Sequence, residues 1–158
     1  MNKPKILVLE DEQDIADIIM DTLQDVAQEI VHVSSSAEGQ TKINAGGHFD
    51  LIISDIKMPG ETGMEFIAWL RAKGIHTPVI FQTAFADKHF MIDAIRLGAC
   101  DFLSKPYDAD QLRETVDRVL FIEEGRKDAA SKAGNEMDLQ AHSRIIGIAQ
   151  ASAVKKAK

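Results

Sequence analysis

Residues 51–60 read LIISDIKMPG, an apolar run that ends at an acid and is followed by a lysine, a proline and a glycine. A continuous apolar run of this length is typical of a strand that is buried on both faces of a sheet. Asp55 therefore stands where a buried strand reaches the rim of the domain. The stretch predicts a parallel sheet with a charged side chain at the carboxyl end of one strand.

Four other apolar runs have the length of strands, and they lie at residues 5–9, 30–34, 78–81 and 101–104, with the strand of the opening stretch at 51–54. Amphipathic stretches separate them. The strongest precedes the second run, and its apolar residues recur at helical spacing: Ile15, Ile18, Ile19, Leu23 and Val26. The same spacing returns in Leu112, Val116, Val119 and Leu120.

Local signals mark the ends of two predicted helices. Asp108 precedes the last helix as an N-cap candidate, with Gln111 at the third helical position. Gly98 is placed to end a helix that begins near Ala86. Weaker patterns at residues 37–45 and 63–72 supply the two remaining helices.

Five strands that alternate with five helices predict an α/β fold, a doubly wound (βα)5 parallel sheet in a three-layer, flavodoxin-like sandwich. The length of 158 residues and the hydrophobic fraction of 45% fit one globular domain with a short appendage. The net charge of -7 argues against nonspecific binding to nucleic acid or to an anionic membrane. One cysteine, Cys100, allows no disulfide within the chain, and we expect a cytoplasmic protein.

Polar side chains gather at one edge of this predicted sheet. In an open parallel sheet, ligands bind beyond the carboxyl ends of the strands, where the winding order reverses. The residues at those ends are Glu10, Asp11 and Glu12 after the first strand, Asp55 after the third, Thr83 after the fourth and Lys105 after the fifth. Acids, a hydroxyl and an ammonium group are therefore expected to converge.

Clustered carboxylates need a cation or a proton, because each close pair repels by about 4 kcal/mol at an effective dielectric near 20. Oxygen ligands favour Mg²⁺ over zinc. A magnesium ion beside a carboxylate, a hydroxyl and a lysine suits phosphoryl transfer. The residues thus predict that Asp55 is a nucleophile that becomes an aspartyl phosphate.

With these motifs in place, the chain from about Lys3 to about Ile122 resembles the receiver domain of two-component response regulators, the CheY-like family. Four motifs occur in the family's order. They are the acidic pair Glu10 and Asp11, the acceptor Asp55 followed by "KMPG", the hydroxyl of Thr83 before the small Ala84, and Lys105 before Pro106. We therefore assign residues 1–122 to a receiver domain and 123–158 to a C-terminal extension. In the family the Lys-Pro peptide is usually cis.

The resemblance implies a binding site for Mg²⁺, or Mn²⁺ in its place. Asp11 would bind the metal directly and Glu10 through water, although the family more often has aspartate at the position of Glu10. Asp55 would supply a carboxylate oxygen, and Lys57 its backbone carbonyl. The protein would be a phosphoacceptor with intrinsic self-phosphorylation and autodephosphorylation chemistry, not an enzyme.

The resemblance also implies a switch. A sensor histidine kinase or phosphotransfer protein would donate the phosphoryl group to Asp55, and Thr83 and Lys105 would each bond a phosphoryl oxygen. Phe102 would then turn inward, and the face of the fourth helix, fifth strand and fifth helix would signal to a downstream protein. Homodimerisation through this face is a further expectation, whereas direct binding to nucleic acid or membrane is not expected.

Three alternatives share the fold. A flavodoxin-like cofactor binder is disfavoured because the acids after the first strand would repel a phosphate, and a dehalogenase-type phosphatase because Lys57 stands where that family needs a second aspartate. A pseudo-receiver, which binds a partner without phosphorylation, is the alternative that we retain. Such proteins usually lack one of the acids, the threonine or the lysine, and this chain has them all.

Two further expectations concern the loop after Thr83 and the tail. Bulky Phe85 would hinder the attacking water and lengthen the life of the phosphorylated state. The tail has three interpretations. It is a linker or helix extension followed by a short amphipathic helix that docks on the receiver, a second copy or a partner; or it is a frayed end; or it is the start of a longer regulator. The apolar positions of that candidate helix are Leu139, His142, Ile145, Ile146 and Ala149.

Overall fold

The computed structural model describes residues 2–84 and 88–133. Strands and helices alternate along the chain: β1 (Lys5–Leu9), α1 (Gln13–Leu23), β2 (Glu29–Val33), α2 (Ser36–Asn44), β3 (Leu51–Asp55), α3 (Gly63–Ala72), β4 (Val79–Thr83), α4 (Lys88–Arg96), β5 (Ala99–Ser104) and α5 (Ala109–Ala133). The five strands form one parallel sheet in the order β2-β1-β3-β4-β5. The predicted (βα)5 fold is confirmed.

Two apolar layers cover the sheet because side chains alternate along each strand. Leu7 and Leu9 of β1 join the layer that holds Phe66 and Leu70 of α3. Ile6 and Val8 of the same strand join the layer formed with α1 and α5, through side chains such as Ile19, Leu23, Leu112 and Val116. The four apolar side chains of β1 are fully buried, and only Lys5 at the start of β1 is not. The winding order reverses between β1 and β3, and this places the edge where β1, β3 and β4 end at the topological switch point.

Several strand ends differ from the prediction by one or two residues. β4 continues to Thr83, and β5 begins at Ala99, not at residue 101. Ala99 pairs with Val79, and Gln82 pairs with Asp55, so the backbone ladder extends past the apolar run. Backbone pairing does not require an apolar side chain, which explains why the apolar pattern alone gave shorter strands.

The predicted helix ends are visible as hydrogen bonds. The Oδ1 atom of Asp108 accepts from the backbone N–H of Gln111 at 2.8 Å, and Gln111 Oε1 accepts from the N–H of Asp108 at 2.9 Å. This reciprocal pair starts α5. Gly98 follows α4 with a φ of 83°, a conformation that favours glycine. The predicted start of α4 near Ala86 lies outside the described residues.

Helix α5 continues past the apolar core. Val119 is its last buried apolar residue, whereas Phe121 is 78% exposed, and the helix still runs to Ala133. The first part of the predicted extension is thus a continuation of α5, and the predicted amphipathic helix that includes Leu139 and His142 lies outside the described residues. In the part of the chain that is described, no helix is both long and apolar enough to cross a membrane.

Candidate functional site

Three carboxylates meet at the carboxyl edge of the sheet. Glu10 and Asp11 follow β1, and Asp55 is the last residue of β3. Each offers a carboxylate oxygen, and these oxygens all lie within 4.8 Å of one another. Glu10 is fully buried and Asp55 is 7% exposed, whereas Asp11 is exposed. The cluster therefore has a buried back and an open, solvent-facing front.

Lys105 bridges the two buried carboxylates. Its Nζ donates to Asp55 Oδ2 at 2.8 Å and to Glu10 Oε2 at 3.1 Å, and its side chain is only 17% exposed. The lysine follows β5, and its backbone N–H donates to the carbonyl of Thr83 at 2.8 Å. Its bond to Pro106 is cis, as predicted.

Burial and charge act in opposite directions on these groups. Burial raises the pKa of Glu10 above its ordinary value and the charge of Asp55 adds to this, although Lys105 opposes both. Burial alone would lower the pKa of Lys105, but hydrogen bonds to Asp55 and Glu10 raise it overall. The lysine is therefore held as a cation between two acids.

The donor set fits a small divalent cation. Three carboxylates that share one opening supply hard oxygen ligands, and Lys105 offsets only one of their charges. Because Asp11 is exposed, a hydrated ion can reach the cluster from solvent. Glu10, Asp11 and Asp55 would hold Mg²⁺ here, and Lys57 lies in the loop two residues after Asp55. The metal-binding roles of these four residues remain predictions.

Thr83 lies at the same edge of the sheet as this cluster, and Phe102 lies within β5, three residues before Lys105. Thr83 is the last residue of β4 and follows Gln82, which pairs with Asp55 of β3. Thr83 itself pairs with Ser104 of β5. Phe102 is partly buried and stacks against Phe81, with ring centroids 6.3 Å apart. The structure thus brings Thr83, Lys105 and the acids to one edge, whereas Phe85 lies outside the described residues.

Two site residues were not predicted from the sequence. Gln82 is fully buried next to Thr83, and its Nε2 donates to Glu10 Oε2 at 2.6 Å. The hydroxyl of Tyr107 donates to Gln82 Oε1 at 2.5 Å. The sequence carried only part of the signal. Gln82 directly follows the apolar residues of "VIFQTAF", and a glutamine that is buried there needs a hydrogen-bond partner, but the sequence does not identify that partner.

Close packing also fixes the backbone of Asp55. Gly63, the first residue of α3, lies so near that a Cβ atom there would be 1.9 Å from the carbonyl oxygen of Asp55 and 2.5 Å from Ser54 Oγ. The hydroxyl of Ser54 donates to the same carbonyl at 2.9 Å. The start of α3 therefore packs directly beneath the acid.

Residues 6–117 match the family described as the response regulator receiver domain. Among curated relatives, the response regulator protein FleR of Pseudomonas aeruginosa is 36% identical over 114 residues, which are 72% of this chain and 24% of FleR. The transcriptional regulatory protein DltR of Streptococcus agalactiae is 33% identical over 108 residues, which are 68% of this chain and 48% of DltR. The chain thus spans about a quarter of the length of FleR and about half of the length of DltR.

Solved structures agree with this similarity. The signal receiver domain of a LuxO repressor protein from Vibrio parahaemolyticus superposes with a TM-score of 0.73 at 28% identity, over 83% of this chain and 98% of that one. A chemotaxis response regulator of Vibrio cholerae gives a TM-score of 0.69 at 30% identity, over 75% of this chain and 99% of that one. The chain therefore belongs to the response regulator receiver domain family.

Proposed function

We propose that this protein is a phosphorylation-dependent signalling switch in which Asp55 accepts a phosphoryl group. The observation that carries the proposal is the bridge of Lys105 between Asp55 and Glu10, beside an exposed acid that opens the cluster to a cation. Response regulators interact with histidine kinases and with downstream effectors. A sensor histidine kinase or phosphotransfer protein is accordingly the proposed donor.

In the proposed reaction, a carboxylate oxygen of Asp55 attacks the phosphorus of a phosphohistidine. The phosphorus–nitrogen bond breaks, and the donor's imidazole, which is protonated on its other nitrogen, takes the bonding electron pair and leaves as a neutral ring. A bound Mg²⁺ would neutralise charge on the phosphoryl oxygens. Asp55 is suited to attack because β3 and the start of α3 fix its backbone at the open edge of the sheet.

Lys105 and Thr83 would detect the product. Lys105 already donates to Asp55 Oδ2, so a phosphoryl oxygen on that side chain would compete for the same ammonium group. The hydroxyl of Thr83 would bond a second oxygen, and Phe102 would turn inward. Moving the switch from mostly off to mostly on requires that these contacts favour the active state by about 5 kcal/mol. Charge-assisted hydrogen bonds are of the right strength. The signalling surface would be the α4-β5-α5 face.

The test is intact-mass spectrometry after incubation with acetyl phosphate and Mg²⁺. The wild type should gain one phosphoryl group, and both Asp55→Asn and a chelator should abolish the gain. Asp50→Asn is the matched control, because Asp50 lies before the opposite end of β3, where its Oδ2 accepts from the N–H of Lys5 at 2.9 Å. This control should be phosphorylated as the wild type is.

The pseudo-receiver is the alternative outcome of the same experiment. A folded wild-type protein that gains no phosphoryl group from acetyl phosphate, or from a histidine kinase, would support a protein-binding module that acts without phosphorylation. An adduct that persists in Asp55→Asn would also contradict the proposal, because another residue would then be the acceptor.

A further inference from the structure

A chain of hydrogen bonds leads from partly buried Tyr107 through Gln82 to Glu10 of the carboxylate cluster. Tyr107 donates to Gln82 Oε1 at 2.5 Å, and Gln82 Nε2 donates to Glu10 Oε2 at 2.6 Å. Gln82 and Glu10 are both fully buried. Gln82 is held by the sheet, since it pairs with Asp55 in the register of β3 and β4, and its carbonyl accepts from the N–H of Ile56 at 3.1 Å.

The hydrogen bonds from Tyr107 through Gln82 to Glu10 have one favourable direction. A carboxylate only accepts hydrogen bonds, so the amide of Gln82 must turn its N–H group toward Glu10 and its oxygen toward Tyr107. A rotated amide would place its oxygen against a carboxylate oxygen of Glu10, which has no hydrogen to donate. Glu10 therefore sets the direction of the amide, and the hydroxyl of Tyr107, which donates to Gln82 Oε1, holds the side chain in that orientation.

The same bonds determine which oxygen of Glu10 remains available. Its Oε2 accepts from both Gln82 and Lys105, whereas its Oε1 accepts from the backbone N–H of Glu12 at 3.2 Å. Two donors occupy the acceptor positions of Oε2. Oε1 is then the oxygen that can take part in binding a cation.

We propose that Gln82, held in place by Tyr107, is a positioning residue that holds Glu10 for binding of a divalent cation. In the part of the chain that is described, every buried side-chain nitrogen or oxygen has a hydrogen-bond partner. Loss of the Tyr107 hydroxyl would leave Gln82 Oε1 without this donor, and loss of Gln82 would remove one of the two side-chain donors to Glu10 Oε2. The role of Gln82 after phosphorylation rests on the proposed function. When Lys105 turns to a phosphoryl oxygen, Gln82 remains as the donor to Glu10 Oε2.

Cation binding tests the inference without requiring phosphorylation. Mn²⁺ is titrated into the full chain and the free ion is followed by electron paramagnetic resonance, with Mg²⁺ as competitor. Gln82→Met keeps the side-chain length and removes both hydrogen bonds. Its Mn²⁺ and Mg²⁺ dissociation constants should rise about tenfold, as is usual when a group that orients a metal ligand is lost. Tyr107→Phe, which keeps the bond from Gln82 to Glu10, should raise them about threefold.

A double variant separates a relay from two independent effects. If Tyr107 acts through Gln82, adding Tyr107→Phe to Gln82→Met should leave the dissociation constants unchanged from those of Gln82→Met. Thr115→Val is the matched control, because the buried hydroxyl of Thr115 bonds the carbonyl of Gln111 within α5, away from the site. It should bind Mn²⁺ as the wild type does.

Several results would overturn the inference. Gln82→Met with the affinity of Thr115→Val would show that Gln82 does not position Glu10, and an equal effect of Tyr107→Phe in both backgrounds would remove the relay. Should Gln82→Met not fold, Tyr107→Phe alone decides, and an unchanged affinity refutes the inference. A wild type that neither binds Mn²⁺ nor gains a phosphoryl group would instead refute the proposed function.

Discussion

Replacing Lys105 with methionine should destabilise the fold strongly at about pH 8 in the absence of divalent cations. The substitution removes the ammonium group that lies 2.8 Å from Asp55 Oδ2 and 3.1 Å from Glu10 Oε2. It leaves two adjacent buried acids, one of which is fully buried.

The size of the loss follows from the two contacts. At an effective dielectric of about 20, each attraction between Lys105 and an acid amounts to about 5 to 6 kcal/mol before desolvation is subtracted. Removing one partner of a buried ion pair costs about 3 to 5 kcal/mol in net stability. We expect the lower end, about 3 kcal/mol, because the lysine is partly exposed and Gln82 still donates to Glu10.

The loss should depend on pH with a definite sign. The pKa of Glu10 is raised in the folded protein from its ordinary value of 4.5, so the folded state binds more protons than the unfolded chain as the pH falls. The protonated form of Glu10 therefore stabilises the fold below the pKa that Glu10 has in the unfolded chain. This contribution to the free energy of unfolding is lost as the pH rises through the higher pKa of Glu10 in the folded protein. Lys105→Met removes a group that lowers the pKa of Glu10 in the folded protein, so the pH range between the unfolded and the folded pKa of Glu10 becomes wider. The difference from wild type should be largest at about pH 8 and should shrink toward about pH 5.

The assay is urea unfolding with a chelator, followed by the fluorescence of Trp69 and by circular dichroism. Lys5→Met is the matched control, because the Nζ of Lys5 pairs with exposed Glu29 at 3.1 Å and should contribute less than about 1 kcal/mol. Mg²⁺ should recover part of the loss in Lys105→Met. A loss of less than about 1 kcal/mol, or one that is equal at both pH values, would show that Lys105 does not compensate the charges of the two buried acids.

Three other predictions concern groups around the site and the helix that follows it. Asp108→Ala should cost about 1 kcal/mol in urea unfolding, since the capping bonds with Gln111 are lost; an unchanged midpoint would contradict this. Gly63→Ala should cost about 2 kcal/mol and slow phosphorylation, because its methyl group would overlap the carbonyl of Asp55; wild-type stability and rate would argue against that packing. Burial, and then the nearby acids, raise the pKa of Tyr107 from its ordinary value of 10.0, so the phenolate of this single tyrosine should form at higher pH in the folded than in the denatured protein. Stability should accordingly fall as the pH rises beyond that ordinary value, and identical titrations in both states would contradict the buried placement.

The order of strands and helices was predictable because the apolar periodicity of each segment and the residues that begin or end its helices indicate the same element. The burial of Leu51, Ile52 and Ile53 follows from one apolar run, and the start of α5 follows from Asp108 and Gln111. Convergence of the acids, Thr83 and Lys105 follows from parallel strands whose carboxyl ends share an edge. These features depend on neighbouring residues or on the topology alone.

The contacts of Gln82 and Tyr107 were not predictable in the same way. Each depends on the direction of a side chain and on a partner far along the chain, such as Glu10, which lies 72 residues before Gln82. The apolar pattern treated Gln82 as an interruption of β4, although the backbone ladder continues through it. Its position in the sheet had to be known before its partner could be identified.

The central claim, that Asp55 is the phosphoacceptor, is tested most directly by locating the modified residue. After treatment with acetyl phosphate and Mg²⁺, borohydride reduces an aspartyl phosphate to homoserine, which peptide mass spectrometry can place in the sequence. We expect homoserine at position 55 in the wild type, with no homoserine elsewhere in the chain. Homoserine at another position, or none in a protein that gained a phosphoryl group, would contradict it.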